Sequence, residues 1–309
     1  MARATSRSPA REPTDGYARH FRDLRKNYDV AMQRMFAAVS ELYGAHWNEF
    51  FHFAIFEHEG ESWDEAFART HARYLEAVRV DQASRVLELA CGRGRFTRLL
   101  SERCPGDVLG VDISGAQLAR ARAYEADGLR LQFRQHDIMR IDELADRFDA
   151  AVYLDAACYL PDKRRALAKI RKVLEPGARF LLVDWCKREG LTPVQEELVL
   201  HPLMRDWAIP SLETPERYQR HLGKAGFRIL EVDDLNDRVQ PNWELGYERA
   251  LAAVQEVTAR DLPRLIWKGL RLGADGIRLM KAQFGAALYI KAGFDAGFLR
   301  YVLFLAEAR

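Results

Sequence analysis

From Arg85 to Trp185 the chain repeats one pattern, a short apolar run followed by a turn or helical stretch. "RVLELA" (85–90) leads into "CGRGRF" and the helical "TRLLSERC". "DVLGVD" (107–112) leads into "GAQLARARAYEAD". "LRLQFRQHD" (129–137) is the third run, "FDAAVYLD" (148–155) precedes a helix around 162–174, and "ARFLLVDW" (178–185) is the fifth. Apolar runs too short for helices, alternating with helices, make βαβ units with right-handed crossovers. The implied class is α/β, a mainly parallel sheet with helices on both faces. "FRILEVDDL" (227–235) and "LRYVLFLAEA" (299–308) add two more strands.

The rest of the chain reads as helix around that sheet. Tyr28, Met32, Met35, Phe36, Val39, Leu42 and Tyr43 recur at spacings of three and four within 17–45, one apolar face of a helix. Residues 64–78 read as a second helix with Asp64 as N-cap. Helical inserts are expected at about 193–225 and 243–292. The organisation expected is a disordered tail over 1–16, a helical cap over 17–80 that contributes to a substrate pocket, and a core over 81–309. The added helices are natural material for a lid over the carboxyl ends of the strands, where open α/β sheets bind ligands.

Composition excludes several functions. The net charge is +2, from 47 basic and 45 acidic residues mixed along the chain, too little for a nucleic-acid partner. "MARATSRSPAREPTDG" is polar and lacks the apolar run of a secretory signal. No stretch approaches the ~20 apolar residues of a membrane span. Cys91, Cys104, Cys158 and Cys186 have no paired spacing, so neither a zinc site nor a disulfide framework is indicated. A cytoplasmic protein acting on a small molecule is the expectation. Its oligomeric state is open, a homo-oligomer included.

Gly92 and Gly94 let the backbone turn sharply after the first strand and approach a ligand closely. Such turns serve many ligands, but acids at the strand ends narrow the choice. Asp112 closes the second strand, where a carboxylate can accept both hydroxyls of a ribose. Asp137 closes the third, where it can meet an exocyclic adenine amine. Glu88 adds negative charge before the turn. That charge suits an ammonium and a sulfonium better than a pyrophosphate, and "GRGRF" departs from the G-x-G-x-x-G dinucleotide pattern.

The succession "VLELACGRGRF", "VLGVDIS", "QHDI", "FDAAVYLDAACYLPD", "LEPGARFLLVDW" resembles the class I S-adenosylmethionine-dependent methyltransferases. The resemblance implies a Rossmann-like sheet of seven strands whose seventh, 299–308, runs antiparallel. It also implies S-adenosylmethionine as cofactor, lined by Glu88, Ala90, Gly92, Gly94, Asp112, Ile113, Gln117, Asp137 and Ile138. Within that class, His46-Trp47, Phe51-His52-Phe53-Ala54, Gly60-Glu61-Ser62, Glu65-Ala66 and His71 resemble the aromatic segment of the sterol and prenyl diphosphate C-methyltransferase group. "YLDAACYLPDK" (153–163) and "AGFDAGFLRYVLFLAEAR" resemble two further segments of that group. The chain departs from the group at Asp155, where the group has Glu, and at Tyr159, where it has His. A shorter carboxylate shifts the reach of any base by about one bond, which puts the position of the acceptor carbon in doubt.

The group's chemistry needs residues of these types. An alkene attacks the sulfonium methyl directly and leaves a carbocation on its other carbon. Aromatic faces stabilise such a cation by about 0.5–2 kcal/mol each, and a base must then remove a proton. Tyr28, Trp47, Phe51, Phe53, Phe56, Tyr159 and Trp185 are the candidate wall. Asp155 is the first candidate base, with Glu57, His52 and Glu61 behind it and Tyr28 as a possible relay. Arg19, His20, Arg22, Arg25 and Lys26, or Arg264, Lys268, Arg271, Arg278 and Lys281, could border the pocket mouth and grip a diphosphate, with Mg²⁺ bound beside it. A solvated helical face is the commoner explanation of basic residues like these. Trp207, Trp243 and Trp267 line the far end of the pocket or simply pack. The Arg- and Ala-rich composition resembles that of bacterial specialised terpenoid metabolism. The reading is C-methylation of an isoprenoid alkene, a prenyl diphosphate of the isopentenyl, geranyl or farnesyl type. The alternatives are a sterol side chain, or a methyltransferase-like protein that binds cofactor without transfer, such as a cyclase or a partner subunit.

Overall fold

The computed structural model describes residues 14–36, 50–255, 285–286 and 288–309. Residues 1–13, Trp47, Trp267 and the basic residues Arg264, Lys268, Arg271, Arg278 and Lys281 lie outside them. The sheet has seven strands: β1 (Arg85–Leu89), β2 (Asp107–Asp112), β3 (Leu131–Gln135), β4 (Phe148–Leu154), β5 (Leu174–Lys187), β6 (Phe227–Asp234) and β7 (Leu299–Ala308). Their order is β3-β2-β1-β4-β5-β7-β6. The first five run parallel, and β7 runs antiparallel to both β5 and β6.

The strands are apolar on both sides because both faces are covered. One face joins Val86, Val108, Val152 and Val183 to Leu100 and Tyr74 of the helices above. The other joins Leu87, Val111, Tyr153 and Leu182 to Ile170, Tyr218 and Leu222. Chain order reverses between β1 and its neighbours β2 and β4, so the crevice for a ligand opens at their carboxyl ends.

Several expected boundaries move. Helix α1 (Thr14–Lys26) starts inside the expected tail. A turn at Asn27 separates it from a helical run over 28–36, so the single helix of 17–45 is two pieces as far as it is described. Helix α2 (Trp63–Ala77) is capped by Ser62, not Asp64: the Ser62 hydroxyl accepts from the Glu65 amide while Glu65 reaches back to the Ser62 amide. This reciprocal capping box satisfies two otherwise open donors, which a lone Asp64 would not. Strand β5 is longer than expected and β3 shorter. Helix α3 (Arg95–Arg103) follows the glycine turn and α4 (Gly115–Ala121) follows β2. Helix α5 (Lys163–Lys172) is capped by Asp162. The first insert divides into a helical run over 193–206 and helix α6 (Pro215–Ala225). Helix α7 (Asn236–Gln255) begins ahead of the second insert's expected start.

Candidate active site

The turn after β1 is built from three left-handed residues, Ala90 (φ +54), Gly92 (φ +54) and Gly94 (φ +76). Its two glycines are required for different reasons. A Cβ on Gly94 would lie 2.4 Å from Cζ of Phe133 and 2.8 Å from Cβ of Ala121, whereas one on Gly92 would meet nothing within 4 Å. Gly94 lets the core close under the turn, and Gly92 leaves the space above it open.

Asp112 ties this turn to the next. Its Oδ2 accepts from the Gly92 amide at 2.9 Å and its Oδ1 from the Ser114 amide at 2.7 Å. Burial pushes its pKa up to about 6 against the pull of those two amides. Glu88 is buried on the same strand end and accepts from the Thr97 hydroxyl. Burial pushes Glu88 up to about 8, with Thr97 pulling it down and the Asp112 charge adding to the rise. Glu88 is therefore mostly neutral at pH 7, where the sequence led us to expect a negative charge. Gln117 is buried within the first turn of α4, and Ile138 after β3.

Asp137 carries an unexpected partner. Its Oδ1 accepts from the Met139 amide at 2.8 Å and from the hydroxyl of Tyr28. Tyr28 thus donates its hydroxyl to the carboxylate that was expected to read adenine, instead of standing free as part of an aromatic wall. A cleft of about 300 Å³ opens beside it, lined by Ile113, Gln135 and Asp137 from the sheet and by Asp29 and Gln33 from the N-terminal helical run. An open glycine face, a buried carboxylate set for vicinal hydroxyls and a cleft with a carboxylate at its wall fit S-adenosylmethionine. Among the described residues no group of three or more His, Cys, Asp or Glu is arranged to hold a metal ion.

The segment over 50–56 bridges this turn to the end of β4. At its start the Arg95 guanidinium lies 5.1 Å from the Phe50 ring, and that of Arg93 5.2 Å from Phe51. Phe51 takes φ +62, and the side chains then alternate. His52 points away from the site into helix α2, its Nε2 3.0 Å from Nε2 of His71. Burial lowers the pKa of both, His71 to about 4 and His52 well below its usual value, so both are neutral at pH 7. Phe53 points the other way, to Trp185 (ring centroids 5.5 Å) and Tyr301 (5.1 Å). Trp207 stacks on Trp185 at 5.8 Å, and Trp243 stacks on Phe294 at 4.1 Å. The backbone at Ala54 is gripped by Asn242, which accepts from its amide at 3.0 Å and donates to its carbonyl at 2.7 Å.

Asp155 stands against this cluster. It follows β4 at φ +51, with its amide on the Val183 carbonyl at 2.9 Å. The Tyr301 hydroxyl donates to its Oδ1. Burial pushes its carboxyl well up, opposed by Tyr301, the Trp185 side chain and the Phe53 amide. Because β1 and β4 are adjacent, with Leu89 level with Tyr153, the glycine turn and Asp155 leave the sheet side by side.

Residues 86–177 match the family model described as "Methyltransferase domain". The chain has the class I methyltransferase fold. It is 27% identical over 219 residues to the sterol 24-C-methyltransferase of Kluyveromyces lactis, covering 69% of this chain and 58% of that enzyme. It spans about half the length of the curated relatives it matches. Among solved structures it resembles the 4+2 cyclase SpnF (TM-score 0.71, 22% identity, 90% of this chain and 94% of that one). It also resembles the geranyl diphosphate C-methyltransferase of Streptomyces coelicolor A3(2) (TM-score 0.60, 15% identity, 87% of this chain and 97% of that one).

On this methyltransferase fold the candidate residues divide. Phe53, Trp185 and Asp155 come together, and Tyr159 is buried nearby, edge-on to Phe36 at 5.5 Å. Phe56 does not join them: it packs with Ala54, Ala66 and Phe67 in a separate cluster. Glu57 faces solvent opposite Arg238 at 3.4 Å, and Glu61 pairs with Arg69, so neither carboxylate reaches the aromatic cluster. Arg25 donates to the Pro210 carbonyl at 3.1 Å, while Arg22 and Lys26 are exposed. Sequence reading missed Tyr301, Phe294, Asn242 and Ser114. Tyr301 sits in a strand pattern that reads simply as core, and only the antiparallel register, Trp185 level with Tyr301, brings it to the site.

Proposed function

We propose that the chain is an S-adenosylmethionine-dependent C-methyltransferase acting on an alkene carbon of an isoprenoid. The observation that carries the reading is the Asp155 carboxylate, set among Phe53, Trp185 and Tyr301 and leaving the sheet beside the glycine turn. S-adenosylmethionine supplies an electrophilic methyl group when bound. Asp112, Asp137 and the open face of Gly92 hold and orient it. The faces of Phe53 and Trp185 exclude water and stabilise positive charge on the alkene carbon left behind after attack. Asp155 takes the proton whose loss forms the new alkene; a carboxyl raised by burial is the stronger base once ionised.

The substrate class we favour is a prenyl diphosphate of the isopentenyl, geranyl or farnesyl type, with Mg²⁺ accompanying the diphosphate. Of the cations offered for its grip, Arg22 and Lys26 project to solvent and Arg25 donates to the Pro210 carbonyl. Similarity to a sterol 24-C-methyltransferase favours a sterol side chain as the second reading. The test is incubation with labelled S-adenosylmethionine and a panel of prenyl diphosphates and sterols, with and without Mg²⁺. Label in a prenyl diphosphate is expected; label only in a sterol replaces the first reading with the second, and label in neither refutes both. Asp155→Asn should lower turnover by about 10²–10⁴-fold and leave S-adenosylhomocysteine binding unchanged.

A further inference from the structure

We propose that Tyr301 is the positioning residue that draws Asp155 towards its ionised form and turns its second oxygen to the substrate. The inference rests on the function proposed above and adds to it the device by which a carboxyl in an apolar pocket can act as a base.

Asp155 is half-buried, with one side left open. Phe53 from the bridging segment, Trp185 from β5 and Tyr301 from β7 stand against it, and burial favours the neutral acid, which cannot accept a proton. The titratable and charged groups facing it are few. Tyr301 donates directly to Oδ1. Asp184 of β5 opposes ionisation through its charge. Cys158, after β4, is a neighbour whose thiol is itself pushed up by burial. Tyr74 of α2 lies next to Tyr301, with Arg73 and Asp233 beyond it. Lys163, the nearest buried cation to Asp184 and Cys158, spends its ammonium on the carbonyls of Cys158, Leu160 and Ser211 at 2.9–3.0 Å. Ionisation of Asp155 is supported instead by hydrogen bonds, and the Tyr301 hydroxyl is the strongest of them.

The geometry gives that bond a direction. Tyr301 is fully buried, its ring packed on Phe53 and its backbone in register with Trp185. A ring clamped this way fixes where its hydroxyl points, so it claims one oxygen of Asp155. Asp155 itself is held at φ +51, a conformation that costs an L-residue energy and persists only where its surroundings impose it. In the reaction the substrate C–H bond breaks, its electron pair becomes the new C=C bond, and the proton goes to Asp155 Oδ2. Tyr301 keeps its own proton throughout and stabilises the carboxylate before transfer.

Tyr301→Phe removes the hydroxyl and leaves the ring. With Asp side chains labelled with 13C at the carboxyl carbon and the Asp155 signal assigned through Asp155→Asn, the expected result is a rise of at least one pH unit in the Asp155 titration midpoint. For the same variant, kcat at pH 7 should fall at least tenfold, as expected for loss of a hydrogen bond to a charged group, and recover as pH is raised. KM for the isoprenoid and affinity for S-adenosylhomocysteine should stay within twofold. An unchanged midpoint overturns the proposal, as does a turnover defect that does not recover at high pH. The titration needs no turnover: if wild-type protein methylates no isoprenoid but the midpoint still shifts, the proposed reaction fails and the Tyr301–Asp155 coupling stands.

Discussion

Substituting alanine for either glycine of the turn after β1 should give opposite phenotypes. At Gly94 the new Cβ would lie 2.4 Å from Cζ of Phe133, 2.6 Å from its Cε1 and 2.8 Å from Cβ of Ala121, at φ +76. The left-handed backbone costs about 1–2 kcal/mol and forcing a methyl into a packed core about 1–3 kcal/mol, so Gly94→Ala should lose about 2–5 kcal/mol. At Gly92 the φ is +54 and no atom lies within 4 Å of the new carbon. Only the backbone term applies, and the less flexible unfolded chain offsets part of it, leaving about 1 kcal/mol. Ala90, two residues away at the same φ, shows that this turn accepts an alanine. With the cofactor lying over the open face of Gly92, as proposed, Gly92→Ala should weaken S-adenosylhomocysteine binding at least tenfold, about 1.4 kcal/mol. Urea unfolding followed by circular dichroism reads the first quantity and titration calorimetry the second. Wild-type affinity in Gly92→Ala would show that the cofactor does not lie over this turn. Equal stability of the two variants would refute the packing argument.

Three other perturbations test the electrostatics. His71 falls from its usual 6.5 to about 4 in the fold, so between those values the unfolded chain binds a proton that the folded one does not. Its stabilising contribution is complete above pH 6.5 and lost as pH falls toward 4, by about 3 kcal/mol at about 1.4 kcal/mol per pH unit. The difference in unfolding free energy between wild type and His71→Phe should shrink over that window, and a flat difference would show that the His52–His71 pair is not buried neutral. Glu88, raised to about 8, should give up most of a proton at pH 7 when a ligand ammonium arrives. Calorimetry of S-adenosylhomocysteine binding in buffers of different ionisation enthalpy reads that release, and proton uptake or no exchange would refute it. Tyr28→Phe should weaken S-adenosylhomocysteine about three- to tenfold by freeing Asp137 Oδ1, with kcat at saturating cofactor unchanged. A kcat loss at unchanged affinity would return Tyr28 to the acceptor side.

The residues proposed to hold the cofactor could be picked out in the sequence because their signals are local. Gly92, Gly94 and Asp112 lie within one strand–turn–helix–strand unit, where spacing along the chain determines spacing in the fold. The acceptor half was legible only as a list of residue types. Phe51, Phe53 and Phe56 look alike in the sequence, but Phe51 lies at Arg93, Phe53 against Trp185 and Phe56 in a separate cluster. A left-handed residue at Phe51 and the Asn242 clamp on Ala54, 188 residues away, decide which ring faces which way.

By itself the sequence determined the alternating strands and helices, the glycine turn and the acids that close β1, β2 and β3, because hydrophobic periodicity and turn chemistry act over a few residues. Only the tertiary structure decided which groups come together at the proposed acceptor site. It drew Tyr28 to Asp137, turned His52 onto His71, left Glu57 on the surface, and placed Tyr301 on Asp155 through the antiparallel pairing of β5 and β7. Those contacts join residues 19 to 181 positions apart. Burial and strand register set them, and neither is written in the neighbours of any one residue.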